Sequence, residues 1–174
     1  MGQKVNPIGL RLALNKNWSS HWFARKDNKN NFGDWLHEDL KIRSYIKKNF
    51  NNAAISKILV ERYGTRVRVT IYAARPGILI GRKGAELDAL KASVSKLLAQ
   101  GEELILDVVE IKQPETNAQL VAESVAQQLE RRIGFRRAMK KAIQVAMELG
   151  AEGIKIHCAG RLGGAELART EQYK

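Results

Sequence analysis

Arg75-Pro76-Gly77-Ile78-Leu79-Ile80-Gly81-Arg82-Lys83-Gly84 is the stretch on which the reading of this chain turns. Two glycines, Gly81 and Gly84, bracket two basic residues. Behind them Leu87, Leu90, Val94 and Leu97 recur at helical spacing, one apolar face of an amphipathic run from Ala85 to Leu98. Ahead of them Arg66 to Ala73 alternates. Val67, Val69, Ile71 and Ala73 fall on one side and Arg66, Arg68, Thr70 and Tyr72 on the other, the pattern of a half-buried strand. A glycine-flanked turn lets a backbone approach a phosphate chain without side-chain clash. Arg82 and Lys83 add positive charge there, and the N–H groups that open the following helix point the same way.

Two more G-x-x-G spacings occur, Gly150–Gly153 and Gly160–Gly163. The first encloses Ala151 and Glu152 and reads as a helix end. Only Gly81–Gly84 holds two basic residues with a helix directly behind, and no Gly-Lys-Ser/Thr makes it a Walker loop. It resembles the GXXG loop of a KH domain, which clamps about four single-stranded nucleotides. The flanking elements agree. Trp35, Ile42, Ile46 and Phe50 line a helix through residue 50, with Asp34 expected as its N-cap. Strands over Ile55–Arg62 and Arg66–Ala73 are joined by a turn at Tyr63-Gly64-Thr65. Pro76 and Gly77 open a short helix, the long helix ends near Gly101, and Leu104–Ile111 forms a third strand. Helix, strand, strand, helix, GXXG, helix, strand is the type II order.

The 174 residues suit one or two small domains, and 44% hydrophobic residues are enough for a core. With 30 Lys+Arg against 18 Asp+Glu the net charge is +12, which points to a polyanionic partner. Residues 1–52 carry 10 basic and 4 acidic side chains, and residues 53–113 and 114–174 carry 10 and 7 each. Excess spread in this way suits a protein surrounded by nucleic acid better than one with a single basic tail. Cys158 is the one cysteine, and His21, His37 and His157 have no metal-ligand spacing. Neither a cofactor nor a metal is expected. No apolar run approaches membrane-spanning length, and no signal segment opens the chain. Met1-Gly2 does not make a myristoylation site, because Asn6 stands where Ser or Thr is required. A reducing, cytoplasm-like compartment is the expectation.

Residues 1–33 read as an arm. Gly2, Asn6-Pro7 and Gly9 are expected to break regular structure, with Lys4 and Arg11 as basic contacts. Trp18, Trp22 and Phe23 interleave with Lys16, Arg25, Lys26 and Lys29. Such a mixture binds phosphates and stacks bases, or packs onto the next domain. Residues 34–113 form the domain around the glycine loop, and Pro114 marks a boundary. Beyond it a helix from Asn117 to Arg132 carries Leu120, Val121, Val125 and Leu129 on one side, and Gly134 interrupts it. A second helix, Phe135–Leu149, gathers Phe135, Ala138, Met139, Ala142, Ala146 and Leu149 in one arc. Arg136, Arg137, Lys140 and Lys141 fall in the opposite arc, with Arg131 and Arg132 at the bend. Ile154, Ile156 and Cys158 mark one clear strand, and Gly160-Arg161-Leu162-Gly163-Gly164 a tight basic turn. Two helices over one strand leave residues 114–174 an incomplete α/β domain, so the fold class is α+β.

Several runs resemble the family of bacterial-type small-subunit ribosomal protein three. They are Met1-Gly2-Gln3-Lys4-Val5-Asn6-Pro7, the Ala74–Gly84 stretch, Gln128-Leu129-Glu130-Arg131-Arg132 through Phe135–Ala142, and Ala159-Gly160-Arg161-Leu162-Gly163-Gly164-Ala165-Glu166. The resemblance covers essentially the whole chain. It implies a place in the head of the small ribosomal subunit, cytoplasmic or organellar, bound to ribosomal RNA. Small-subunit ribosomal proteins ten and fourteen would be neighbours, with protein two nearby. It further implies that Arg131, Arg132 and the basic face after them lie by the tunnel through which messenger RNA enters, where the family helps to open hairpins. Family members continue past Lys174, and those further strands complete the second domain. The expected RNA contacts are then Lys4, Arg11, Arg66, Arg68, Gly81–Gly84, the six basic residues of the bend, and Arg161. A free KH-type regulator is the rival reading. An enzyme is disfavoured, because no carboxylate pair with a histidine, metal cluster or nucleotide loop is present.

Overall fold

The computed structural model describes residues 2–24, 32–98 and 101–174. The basic residues Arg25, Lys26 and Lys29 of the arm lie outside them. Asn6-Pro7 does not break structure but starts it. Asn6 Oδ1 accepts from the N–H groups of Ile8 (2.9 Å) and Gly9 (3.3 Å), capping a short helix α1 (Pro7–Arg11). Proline at the first helical position loses no hydrogen bond, since that N–H has no partner in a helix. The arm then supplies β1 (Ser20–His21), which joins the domain that follows.

That domain is built of α2 (Phe32–Asn49), β2 (Ile55–Tyr63), β3 (Arg66–Ala73), α3 (Pro76–Ile80), α4 (Ala85–Ser95) and β4 (Glu103–Glu110). The order is the type II one. α2 starts two residues before the expected cap, so Asp34 lies in its first turn, where a carboxylate still complements the helix dipole. The sheet order is β1-β2-β3-β4. β2 and β3 are antiparallel, with Ile58 opposite Ile71 and Val60 opposite Val69, and the turn between them uses Gly64 at φ +61°. β3 and β4 are parallel, Val67 opposite Leu104. A parallel pair needs a long crossover. Here the crossover is α3, the glycine loop and α4, which holds the loop between two packed helices. The inward half of the β3 alternation holds: Val67, Val69, Ile71 and Ala73 are buried in one cluster with Ile42 and Ile46 of α2 and Leu90 and Val94 of α4, whereas on the other face only Arg66 and Arg68 are exposed, Thr70 being buried and Tyr72 half-buried. Each of the valine, isoleucine and leucine side chains contributes about 1.5–3 kcal/mol when fully buried.

Beyond Pro114 come α5 (Ala118–Glu130) and α6 (Phe135–Glu148), with Asn117 Oδ1 capping α5 through the N–H groups of Gln119 and Leu120. Two strands follow rather than one. β5 (Ile156–Gly160) pairs antiparallel with β6 (Arg169–Tyr173), Cys158 opposite Glu171. Residue 154, expected in the strand, precedes it. α5 packs on α6 and reaches β2, and α6 touches β5. Leu120, Val125, Ala138, Met139 and Ala146 are the buried apolar residues of the two helices.

Candidate nucleic-acid interface

The glycine loop is held by steric necessity at one of its two glycines. Gly81 sits at φ +70°, ψ −171°, a region essentially closed to other residues. A Cβ there would fall 2.4 Å from Glu86 Cγ and 2.7 Å from Glu86 Cβ. Gly84, at φ +83°, faces open space. Between them Arg82 and Lys83 are exposed on a 3-10 turn, Lys83 in the left-handed region at φ 54°, ψ 23°. Gly84 is the N-cap of α4 and gives it no side-chain cap; the Ala85 N–H donates back to Arg82 C=O, and the positive end of the helix dipole lies beside the two cations.

The second basic cluster lies where α5 meets α6. Ile133 N–H donates to Gln128 C=O (3.0 Å) and Arg132 N–H to Leu129 C=O (2.9 Å). This pair of bonds is a Schellman ending. The left-handed position it requires is filled by Arg132, φ 60°. α6 ends the same way: Ala151 N–H donates to Ala146 C=O and Gly150 N–H to Met147 C=O, with Gly150 at φ +85°. The sequence reading of Gly150 as a helix end therefore holds. Arg131, Arg132, Arg136, Arg137, Lys140 and Lys141 are all exposed. Among the described residues the one ion pair at this corner runs from Arg136 Nη2 to Glu171 Oε1, 3.7 Å. Lys140 Nζ stands 5.9 Å from the Tyr173 ring centre. Arg131 and Arg132 complement the C-terminal end of the α5 dipole. Arg136 and Arg137 oppose the dipole of α6, whose first turn holds no acid.

The other expected contacts fare differently. Arg66 and Arg68 are on the outer sheet face but paired across to β4, Arg66 Nε with Glu103 Oε2 (2.9 Å) and Arg68 Nε with Asp107 Oδ2 (3.5 Å). Arg161 Nε donates to Ala165 C=O (2.9 Å) and so ties its own turn together. Arg11 Nη1 donates to Pro7 C=O within α1, and Lys4 is exposed. The arm aromatics divide. Trp18 and Phe23 are 66% and 83% exposed, whereas Trp22 packs edge-on against Trp35 at 5.3 Å.

Sequence reasoning missed what pins Trp22. Its Nε1 donates to Asp39 Oδ2 (2.8 Å), as does Ser20 Oγ (2.8 Å). Asp39 Oδ1 accepts from Arg62 Nη2 (3.0 Å), and Arg62 also reaches Glu38 (2.8 Å) and Glu102 (3.2 Å). Asp39 is fully buried and Arg62 nearly so. Burial holds the Glu102 carboxyl above the usual carboxylate range, against the pull of Arg62 and with the push of Glu38 and Asp39. This cluster fastens β1 and the arm to α2 and β2. Cys158 is half-buried with a free thiol. Among the described residues no helix is long and apolar enough to cross a membrane, and no three His, Cys, Asp or Glu side chains are placed to hold a metal ion.

Comparison with known proteins accounts for both parts. The KH domain family matches residues 41–116, and the family described as ribosomal protein S3, C-terminal domain, matches residues 125–174. The small ribosomal subunit protein uS3 of Beijerinckia indica is 56% identical over the whole of this chain and 70% of its own length. The protein of that name from Caulobacter vibrioides is 57% identical, with 68% of its length covered, and that from Akkermansia muciniphila 55% identical, with 75% covered. With both domain families in chain order and identity this high from end to end, the chain belongs to the uS3 family of small ribosomal subunit proteins.

Proposed function

We propose that this chain, a structural constituent of the small ribosomal subunit and not an enzyme by family, holds RNA at two basic corners with different tasks. The glycine loop and Lys4 of the arm grip ribosomal RNA, with Arg11 beside them although its Nη1 already donates to Pro7 C=O. The α5–α6 corner, Arg131, Arg132, Arg136, Arg137, Lys140 and Lys141, lies on the path of incoming messenger RNA and holds single strands as a hairpin opens. The units are the arm, 1–33, the KH domain, 34–113, and the C-terminal α/β domain, 114–174. The setting is the head of the small subunit of a cytoplasmic or organellar ribosome, beside small-subunit ribosomal proteins ten and fourteen, with protein two nearby. Arg66, Arg68 and Arg161 join the RNA surface with weaker effect, since each already has an internal acceptor.

The observation that carries this reading is the placement of Arg136 and Arg137. They are exposed, lie in the first turn of α6 and oppose its dipole, so helix stability does not account for them. Phosphate contacts carry no sequence information, which suits a patch that must hold any strand passing it. The work of strand opening comes from translocation. Ribosomes carrying Arg131→Ala with Arg132→Ala are expected to assemble, to read an unstructured messenger almost normally, and to slow on a stable hairpin. Equal slowing on both messengers would reduce the corner to ribosomal-RNA anchoring. A free RNA-binding regulator is excluded when the chain sediments with small subunits in a lysate.

A further inference from the structure

α2 carries a second apolar stripe that the core does not use. Its buried residues are Asp39, Ile42 and Ile46. Phe32, Leu36 and Leu40 recur at every fourth position on another side and are 61%, 36% and 49% exposed. They lie within about 80° of one another around the helix and along about 12 Å of its length. Lys47 continues this side toward the C-terminal end, with Lys41 and Lys48 on its outer flank. All three lysines are exposed, and among the described residues none makes an ion pair. No carboxylate of α2 falls here: Glu38 and Asp39 bind Arg62, and Asp34 is about 160° around the helix from Leu36. The arm widens the surface. It runs antiparallel to α2 along one flank of the stripe. Ser19 C=O and Ser20 Oγ each accept from Arg43 Nη2 at 2.7 Å, and farther on the Trp22 ring meets that of Phe32, 5.3 Å between centres. Trp18 and Phe23, at the two ends of this docked segment, are exposed. Single exposed leucines are ordinary. Aliphatic and aromatic side chains from two elements fastened to each other form one patch, and such a patch marks a site of contact with another protein.

We propose that the outward side of α2, flanked by the arm, is a docking surface on which a partner protein lays an amphipathic helix. The partner's apolar stripe covers Phe32, Leu36 and Leu40, and its carboxylates meet Lys47 and Lys48. Helix-on-surface recognition of this kind is read through anchors one turn apart. The dipole of α2 also favours the lysines of its last turn, so the leucines argue for a protein and the unpaired cations fix which way its helix runs. RNA is disfavoured because the middle of the stripe is aliphatic: a leucine offers a base neither a stacking face nor a hydrogen bond. A second copy is disfavoured because a chain of net charge +12 repels itself. The surface is independent of the RNA reading of the two basic corners.

The full chain is assembled into small subunits with a benzophenone amino acid in place of Leu36, irradiated, and its adducts are sequenced. The expected product is a protein adduct that survives ribonuclease. It should join a helical segment with apolar residues toward the photoprobe and a carboxylate one or two turns away. The same photoprobe in place of Lys96, at the end of α4, should not give that adduct. An adduct that ribonuclease removes, an adduct to a second copy, a segment without a carboxylate, or no adduct at all overturns the proposal. The isolated full chain is then titrated by fluorescence anisotropy with a labelled helical peptide about five turns long, leucines at helical spacing along one side and glutamates at one end. Leu36→Gln with Leu40→Gln should weaken binding about tenfold and leave the unfolding midpoint in place, because both side chains are exposed. Lys47→Glu with Lys48→Glu should weaken binding about fivefold, and should strengthen by a similar factor the binding of the peptide with lysines in place of its glutamates. A scrambled peptide of the same composition that binds equally well, or a charge reversal that acts alike on both peptides, overturns the docking surface.

Discussion

At the glycine loop the backbone turns on Gly81 and Gly84, φ +70° and +83°, and at the α5–α6 corner it turns on Arg132, φ 60°. Both corners also place one cation in the left-handed region, Lys83 in the first and Arg132 in the second. The loop surrounds its strained cation with glycines, which take the sharpest bends. The corner has no such help: Arg132 itself occupies the position that Gly150 fills in the matching ending of α6. Two helix ends of one chain thus share a hydrogen-bond pattern and differ in the residue at its tightest point. The left-handed conformation costs a non-glycine residue roughly 1 kcal/mol. The α5 dipole returns part of that cost to a cation at its C-terminal end, typically 0.3–1 kcal/mol. A residue kept where glycine would fit more cheaply points to a role outside the fold. The same logic separates Gly81, which geometry demands, from Lys83, which like Arg132 sits where glycine would fit more cheaply.

The largest effect expected from this comparison is at Gly81. Gly81→Ala meets both a forbidden backbone region and the Glu86 side chain, and the first turn of α4 must shift to admit it. Urea unfolding should show a loss on the order of 2–4 kcal/mol. Gly84→Ala, with open space and only the left-handed penalty, should lose about 1 kcal/mol. Similar losses at the two positions would mean that the close approach of Glu86 does not constrain the loop.

Next in size is the charge of the loop. Arg82→Asp with Lys83→Asp removes two exposed cations from a turn and leaves the buried cluster of Ile42, Ile46, Leu90 and Val94 intact. RNA affinity should fall more than tenfold, on the order of 1.4 kcal/mol or more, with little change in unfolding midpoint. A marked shift in unfolding with binding preserved would make the loop a structural element and leave the α5–α6 corner as the RNA surface.

What the sequence made legible was whatever repeats locally. The alternation of β3 and the apolar stripes of α4 and α6 were visible because period 2 and period 3.6 need no distant partner. Asn6-Pro7 was misread because the same pair signals a break or a capped helix start, and the side chain decides which. β6 was invisible. Arg169-Thr170-Glu171-Gln172-Tyr173 has no apolar alternation, and it becomes a strand through pairing with β5. Arg62 could not be told from a solvated cation, since Glu38, Asp39 and Glu102 come to it from distant parts of the chain. The same limit left Arg66 and Arg68 looking free. Charge could be counted from the sequence, but which charges were already neutralised could not.

The smallest expected effect is the sharpest test of the difference between the corners. Arg132→Gly supplies the residue that the α6 ending already uses at Gly150. It relieves the left-handed strain, gives up part of the dipole interaction, and adds chain freedom to the unfolded state. The first term is about 1 kcal/mol and the other two together are of similar size, so stability should change by no more than about 0.5 kcal/mol. RNA affinity should fall by about two- to fivefold, because one exposed cation is lost from a multi-contact surface. A loss of binding without a loss of stability is what a side chain placed for binding requires. Arg132→Lys keeps the charge and the strain, so it should leave both nearly unchanged. A chain in which Arg132→Gly lowers stability beyond that range would show that the arginine holds the corner together, and the contrast with the glycine loop would then be one of packing, not of function.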